Sequence, residues 1–240
     1  MNLPDRASAV LNFKTNLPAW RGIVAAYAAD ANCSRARNEY HEVHLYCRAE
    51  TDSDRNHLLT LSDRFNLWAG RFRFTHEQQN GELTPVTDGL AREEIMLGTH
   101  FHMPSQLVNV MSGELLGVAK QLGVDVERIR VERPMGRSPA RVSERSDRGW
   151  WEAHLSIEHD DNFSESLRCE GIRDVSRKID FISGEGLKQG FVNIEARDQS
   201  VRRFAATCTD VAQSLCQCTG RKAVASLEEV LMDLPMASRN

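Results

Sequence analysis

Residues Trp150–Glu158 read WWEAHLSIE, and residues 40–48 read YHEVHLYCR. The motif Glu-x-His-Leu thus occurs twice, as Glu42-Val43-His44-Leu45 and as Glu152-Ala153-His154-Leu155. Both stretches alternate as strands do, because successive side chains of a strand point to opposite faces. In the second, Trp151, Ala153, Leu155 and Ile157 share one face, while Trp150, Glu152, His154, Ser156 and Glu158 share the other. In the first, Val43, Leu45 and Cys47 oppose Tyr40, Glu42, His44 and Tyr46. Each strand therefore has an apolar face and a face carrying a carboxylate, an imidazole and a hydroxyl.

The elements around each strand recur in order. After the first, Asp52 or Ser53 caps a helix expected to run to Ala69, with Leu58, Leu61, Phe65 and Trp68 on its apolar stripe and Gly70 as its end. A strand follows at 71–76, then an Asn80-Gly81 turn, a strand at 94–102, a helix from Ser105 to Gly123 and a strand at 126–132. After the second, Ile172, Val175 and Ile179 read as a helical stripe. A short strand near Phe181, a glycine-rich turn at 184–190 and a strand at 191–197 come next. A helix with Val201, Phe204, Cys208, Val211, Leu215 and Cys218 on one side then ends at Gly220, before a strand at 224–231. The expected fold is α+β: tandem duplicated ferredoxin-like (β-α-β-β-α-β) repeats, each an antiparallel sheet with one open face. The expected boundaries are an N-terminal helical leader at 1–36, repeats at 37–133 and 149–240, and an Arg/Ser/Pro-rich linker at 134–148.

Composition narrows the function. A net charge of −4 gives no field favouring nucleic acid or an anionic membrane. Aromatic residues are missing from the strand positions where an RNA-recognition sheet needs them. No apolar run approaches the ~20 residues of a membrane span. The cysteines at 33, 47, 169, 208, 216 and 218 show no two-residue metal or redox spacing. Cys47 and Cys208 fall on apolar faces, which points to a reducing cytoplasm.

The chemistry-bearing residues gather on the polar strand faces. His100 and His102 share a face of the 94–102 strand, expected beside Glu42 and His44. Asn193, Glu195 and Arg197 are expected beside Glu152 and His154. Imidazole and carboxylate two apart on a strand project together, as chelation requires, and they suit Zn, Mn, Fe or Ni. The expected metal set is Glu42, His44, His100, His102, Glu152 and His154. Tyr46, Ser156 and Arg197 are the expected contacts for a small anionic, phosphate-containing ligand. If the protein is an enzyme, it reads as a metal-dependent hydrolase with His44 and His154 catalytic. The pairs His44-Leu45-Tyr46 and His154-Leu155-Ser156 are similar to the His-x-Ser/Thr motifs of two-histidine phosphoesterases, with Tyr46 standing where that pattern has a small hydroxyl. The alternative is a non-catalytic ligand-binding or assembly module that buries the same Glu-x-His pairs between the repeats. His41, His57, His76 and His159 read as surface residues.

Overall fold

The computed structural model describes residues 39–79, 82–86, 92–103, 105–135, 150–159, 172–197 and 199–236. The leader at 1–36 and residues 136–148 of the linker lie outside the described residues. The chain forms two compact units. One comprises Met1–Ala69, Ile95–Arg133 and Met232–Asn240, the other Gly70–Glu94 and Pro134–Leu231.

In the first unit β1 (Glu39–Arg48) lies antiparallel between β4 (Glu93–Met103) and β5 (Asp125–Met135). Helix α1 (Asp52–Phe65) starts at Thr51, whose hydroxyl accepts from the Asp54 backbone while the Asp54 carboxylate accepts from the Thr51 backbone, a reciprocal capping box. It stops at Asn66, which takes the left-handed conformation at φ 50°. The expected continuation to Ala69 is thereby corrected: Trp68 is the first residue of β2 (Trp68–Gln79). Helix α2 (Ser105–Gln121) packs on β1. The apolar faces meet as alternation requires, burying Val43, Leu45, Leu58, Leu61, Phe65, Leu97, Met111, Leu115, Ile129 and Val131. Truncating one such leucine to alanine costs about 2–5 kcal/mol.

In the second unit β6 (Trp150–Glu158) lies antiparallel between β8 (Gly186–Ala196) and β9 (Val224–Pro235). Strand β7 (Ile172–Ile179) pairs with β8 and with β2, and the short β3 (Glu82–Pro85) pairs with β2. Helix α3 (Val201–Thr219) is capped by Ser200 and ends at Gly220, φ 68°. Its stripe Val201, Phe204, Cys208, Val211 and Leu215 packs on Trp151, Ala153, Leu155, Ile157, Val192 and Ile194.

Two corrections follow. The stripe Ile172, Val175, Ile179 belongs to a strand, not a helix. Ile172 faces Ile194 and Asp174 faces Asn193, so Arg173 is an extra residue in a β-bulge. A bulge flips strand parity, so residues three apart share a face and imitate helical spacing. The strand expected near Phe181 is the turn between β7 and β8, where the Asp180 carboxylate accepts from the backbone of Ile182 and Ser183.

The second correction concerns fold class. The strands pair in the order β3-β2-β4-β1-β5-β9-β6-β8-β7, and β2 pairs also with β7. Among the described residues, eight strands thus pair in a closed ring, with β3 added outside it, and three helices accompany them. Tandem ferredoxin-like repeats with open sheets are overturned. Sheet edges carry unpaired N–H and C=O groups, and closure of the pairing satisfies them. The polar strand faces are accordingly not open. His44, Glu132, Glu152, Asn193 and Glu228 are all buried. His41, His76 and His159, expected on the surface, are buried as well.

Candidate metal centre

In the first unit Glu42 and His44 project from the same face of β1, and β5 lies alongside with Glu42 opposite Glu132. One ligand atom from each of Glu42, His44 and Glu132 falls within 4.8 Å of the others. His44 sits between the carboxylates: Nε2 is 3.4 Å from Glu42 Oε2 and Nδ1 is 3.1 Å from Glu132 Oε2. The outer oxygen of each carboxylate faces another cation or donor. Arg130 approaches Glu132 Oε1 at 3.3 Å and also donates to Asp233 at 2.9 Å. His100 Nε2 lies 3.8 Å from Glu42 Oε1, and its Nδ1 is 2.6 Å from the Tyr40 hydroxyl.

Burial by itself disfavours a charged His44, but Glu132 and then Glu42 outweigh it and push its pKa up to about 10. His44 is therefore an imidazolium at neutral pH, a proton holding the place where a metal cation would balance the same carboxylates. Above it stands Trp68, 5.4 Å from the His44 ring with the planes 73° apart. Gly98 pairs directly with His44 across β4, and a Cβ there would meet the indole at 2.3 Å. The missing side chain is what admits the tryptophan.

The second unit repeats the pattern with different neighbours. Glu152 faces Glu228 in register, as Glu42 faces Glu132. His154 Nε2 lies 3.3 Å from Glu228 Oε2. Opposite His154, where the first unit has Gly98, stands Asn193. Its carbonyl oxygen is 2.6 Å from His154 Nδ1, and its amide donates to Asp174. The bulge residue Arg173 reaches Glu152 at 2.8 Å, Asp174 at 2.6 Å and Glu195 at 3.1 Å. Bulges re-aim side chains in this way. Glu152 is buried and already carries a guanidinium. Despite partial burial, which raises it, the Glu195 pKa is lowered by Arg197 and Arg173.

Of the residues expected to bind metal, Glu42 and His44 come together, His100 stands behind Glu42, and the His102 side chain lies outside the described residues. Glu152 and His154 belong to the Arg173 and Asn193 networks. Of the expected ligand contacts, Tyr46 is buried under Arg128, 3.7 Å from its ring, and Arg197 pairs with Glu195 and covers Trp150. Ser156 is half-buried on β6 opposite Phe191. The geometry lends the hydrolase reading no support: His44 stands between two carboxylates and Tyr46 lies under Arg128.

Sequence reasoning missed Glu132, Glu228 and Arg173. The first was readable. With Ile129 and Val131 inward, alternation puts Arg130 and Glu132 on the face of β5 that joins Glu42 and His44. Glu228 was readable only once β9 was paired with β6. Arg173 was hidden by the bulge.

No protein-family model matches the chain, and no curated protein matches it. Solved structures give faint likenesses. An anthrone oxidase-like protein is 9% identical with a TM-score of 0.25, over 82% of this chain and 94% of that one. An asparagine-to-alanine variant of DypB in complex with manganese is 10% identical with a TM-score of 0.25, over 84% and 95%. An aspartate-to-alanine variant of Rhodococcus jostii RHA1 DypB in complex with heme is 11% identical with a TM-score of 0.26, over 81% and 94%. Likeness at this level carries no argument about function, and the site stands on its own residues. Among the described residues, no helix is long and apolar enough to cross a membrane.

Proposed function

We propose that this protein binds a divalent metal ion at Glu42, His44 and Glu132, and that the bound ion takes up a small anionic ligand. One observation carries the reading: two carboxylates and an imidazole offer ligand atoms within 4.8 Å of one another in a buried setting. That donor set suits Zn, Mn or Fe(II). The choice of an anion is supported by Arg128 and Arg130, which stand beside the site against Asp233 and Glu132.

Free thiols at Cys47, Cys208, Cys216 and Cys218 support a cytoplasmic setting. Burial pushes the Cys208 thiol up to about 12, so it behaves as an apolar side chain.

A second reading is favoured by the position of His44, with a carboxylate at each ring nitrogen. In it the cluster is a metal-free ion-pair network that fixes β1 against β5. Metal analysis of the purified protein by plasma mass spectrometry separates the two, together with titration calorimetry using Zn²⁺ and Mn²⁺. Near-stoichiometric metal that is lost in His44→Ala and in Glu132→Gln supports the site. Absence of metal, with no calorimetric uptake, leaves the ion-pair network.

A further inference from the structure

The second unit carries a group of side chains that the metal reading does not use. Phe72 of β2 pairs with Lys178 of β7, and Ser176, two residues earlier on β7, pairs with Phe191 of β8. Phe191 pairs in turn with Ser156 of β6. Directly paired residues share a face of a sheet, and so do residues two apart on a strand. Phe72, Lys178, Ser176, Phe191 and Ser156 therefore form one surface. It is the face opposite Leu155, Ile157 and Val192, which pack with the stripe of α3.

Strands β2 and β8 lie on either side of β7, roughly 10 Å apart. Their phenylalanines meet nonetheless, with ring centroids 5.7 Å apart and planes at 74°. Ser176 permits that contact: its short, buried side chain leaves the space over β7 to the two rings. Both rings stay half-buried rather than covered, as do Lys178 and Ser156. The neighbouring arginines are matched, Arg71 and Arg73 by Glu93, and Arg173 by Glu152, Asp174 and Glu195. Among the described residues, the Lys178 ammonium has no ion pair and the Ser156 hydroxyl no hydrogen bond.

We infer that this surface binds a small aromatic carboxylate, independently of the metal centre in the first unit. Aromatic rings associate edge-to-face or offset, so the half-buried Phe72 and Phe191 rings offer edges and faces to a third ring. Lys178, beside Phe72, supplies the cation for the carboxylate. Ser156, beside Phe191, supplies a hydroxyl donor. Small-molecule sites combine features in this way, with apolar walls and a few placed polar groups. One ammonium balances one negative charge, which matches a carboxylate better than a phosphate dianion. An aliphatic acid would satisfy the charge alone and a neutral arene the rings alone, so the pair of features selects an aromatic acid.

The test is titration calorimetry of the full chain with 2-naphthoate, in EDTA so that metal plays no part, with 2-naphthol and octanoate as comparison probes. The expected result is saturable binding of 2-naphthoate, tighter than that of either comparison. Lys178→Met should weaken 2-naphthoate about tenfold and leave 2-naphthol unchanged, and Lys178→Arg should restore most of the loss. Phe191→Leu should weaken both naphthyl probes by about three- to tenfold. Circular dichroism and thermal melts verify that each variant is folded. The Lys178 variants alter a half-buried side chain with no ion pair among the described residues, and they decide the matter if Phe191→Leu does not fold. Absence of saturable 2-naphthoate binding in EDTA overturns the inference, as does binding that Lys178→Met leaves unchanged, because the acid then sits elsewhere. Octanoate binding as tightly as 2-naphthoate overturns the role of the rings. Binding that appears only when EDTA is replaced by Zn²⁺, and is lost in Glu132→Gln, assigns the acid to the metal centre instead: this inference then fails while the metal reading stands.

Discussion

Metal uptake at this site must expel a proton, and the cost can be worked out. His44 is held as an imidazolium with a pKa of about 10 by Glu132 and Glu42. To ligate, one ring nitrogen must lose its hydrogen. At pH 7 that is about three units below the folded pKa, and at 1.36 kcal/mol per unit the penalty is about 4 kcal/mol. The apparent affinity should therefore rise about tenfold per pH unit from 7 to about 9.5 and level off above 10. Calorimetry of Zn²⁺ binding at pH 7, repeated in buffers of different ionisation enthalpy, should give close to one proton released per ion. An affinity independent of pH over that range, or no proton release, would refute the argument. The same shift makes a stability prediction for the metal-free protein. A raised pKa stabilises the fold fully below the unfolded value of about 6.5. That contribution is lost as pH rises through 10. Urea melts should show stability falling between pH 7 and 10 in the wild type, and a flatter profile in His44→Gln.

Three further outcomes follow from the packing and pairing. Gly98→Ala drives a methyl into the Trp68 indole, so it should cost about 1–3 kcal/mol in denaturant melts, with a shift in tryptophan emission; unchanged stability and emission would contradict the contact. Arg173→Met strips the guanidinium from buried Glu152 and should cost about 3–5 kcal/mol, read by chemical denaturation at pH 7, with part of the loss recovered in Arg173→Met/Glu152→Gln. Thr51→Ala removes the capping box of α1 and should lower stability by about 1 kcal/mol, seen as a lower thermal midpoint.

Much of the site was legible from alternation. Glu42 and His44 lie two apart on β1, so any strand pairing exposes them to the same neighbours. The parity of β5 also places Glu132 on that face once Ile129 and Val131 are inward. Trp68 was assigned wrongly because its spacing continues the α1 stripe. Asn66, in the left-handed conformation, ends the helix first. Arg173 was lost for a similar reason: one bulged residue turns a two-residue period into a three-residue one.

By itself the sequence determined the duplicated Glu-x-His strands, the apolar face of each, and the α3 stripe that covers β6 and β8. These are local: a strand or helix displays its periodicity wherever it packs. Tertiary structure alone decided that the pairing closes rather than leaving two open sheets. It also decided that the polar faces are buried and that His44 lies between two carboxylates. The physical reason is that side-chain periodicity specifies faces, whereas backbone hydrogen bonding along strand edges is nearly blind to side chains. Which edges meet, and so which charges are buried together, is set by the whole chain.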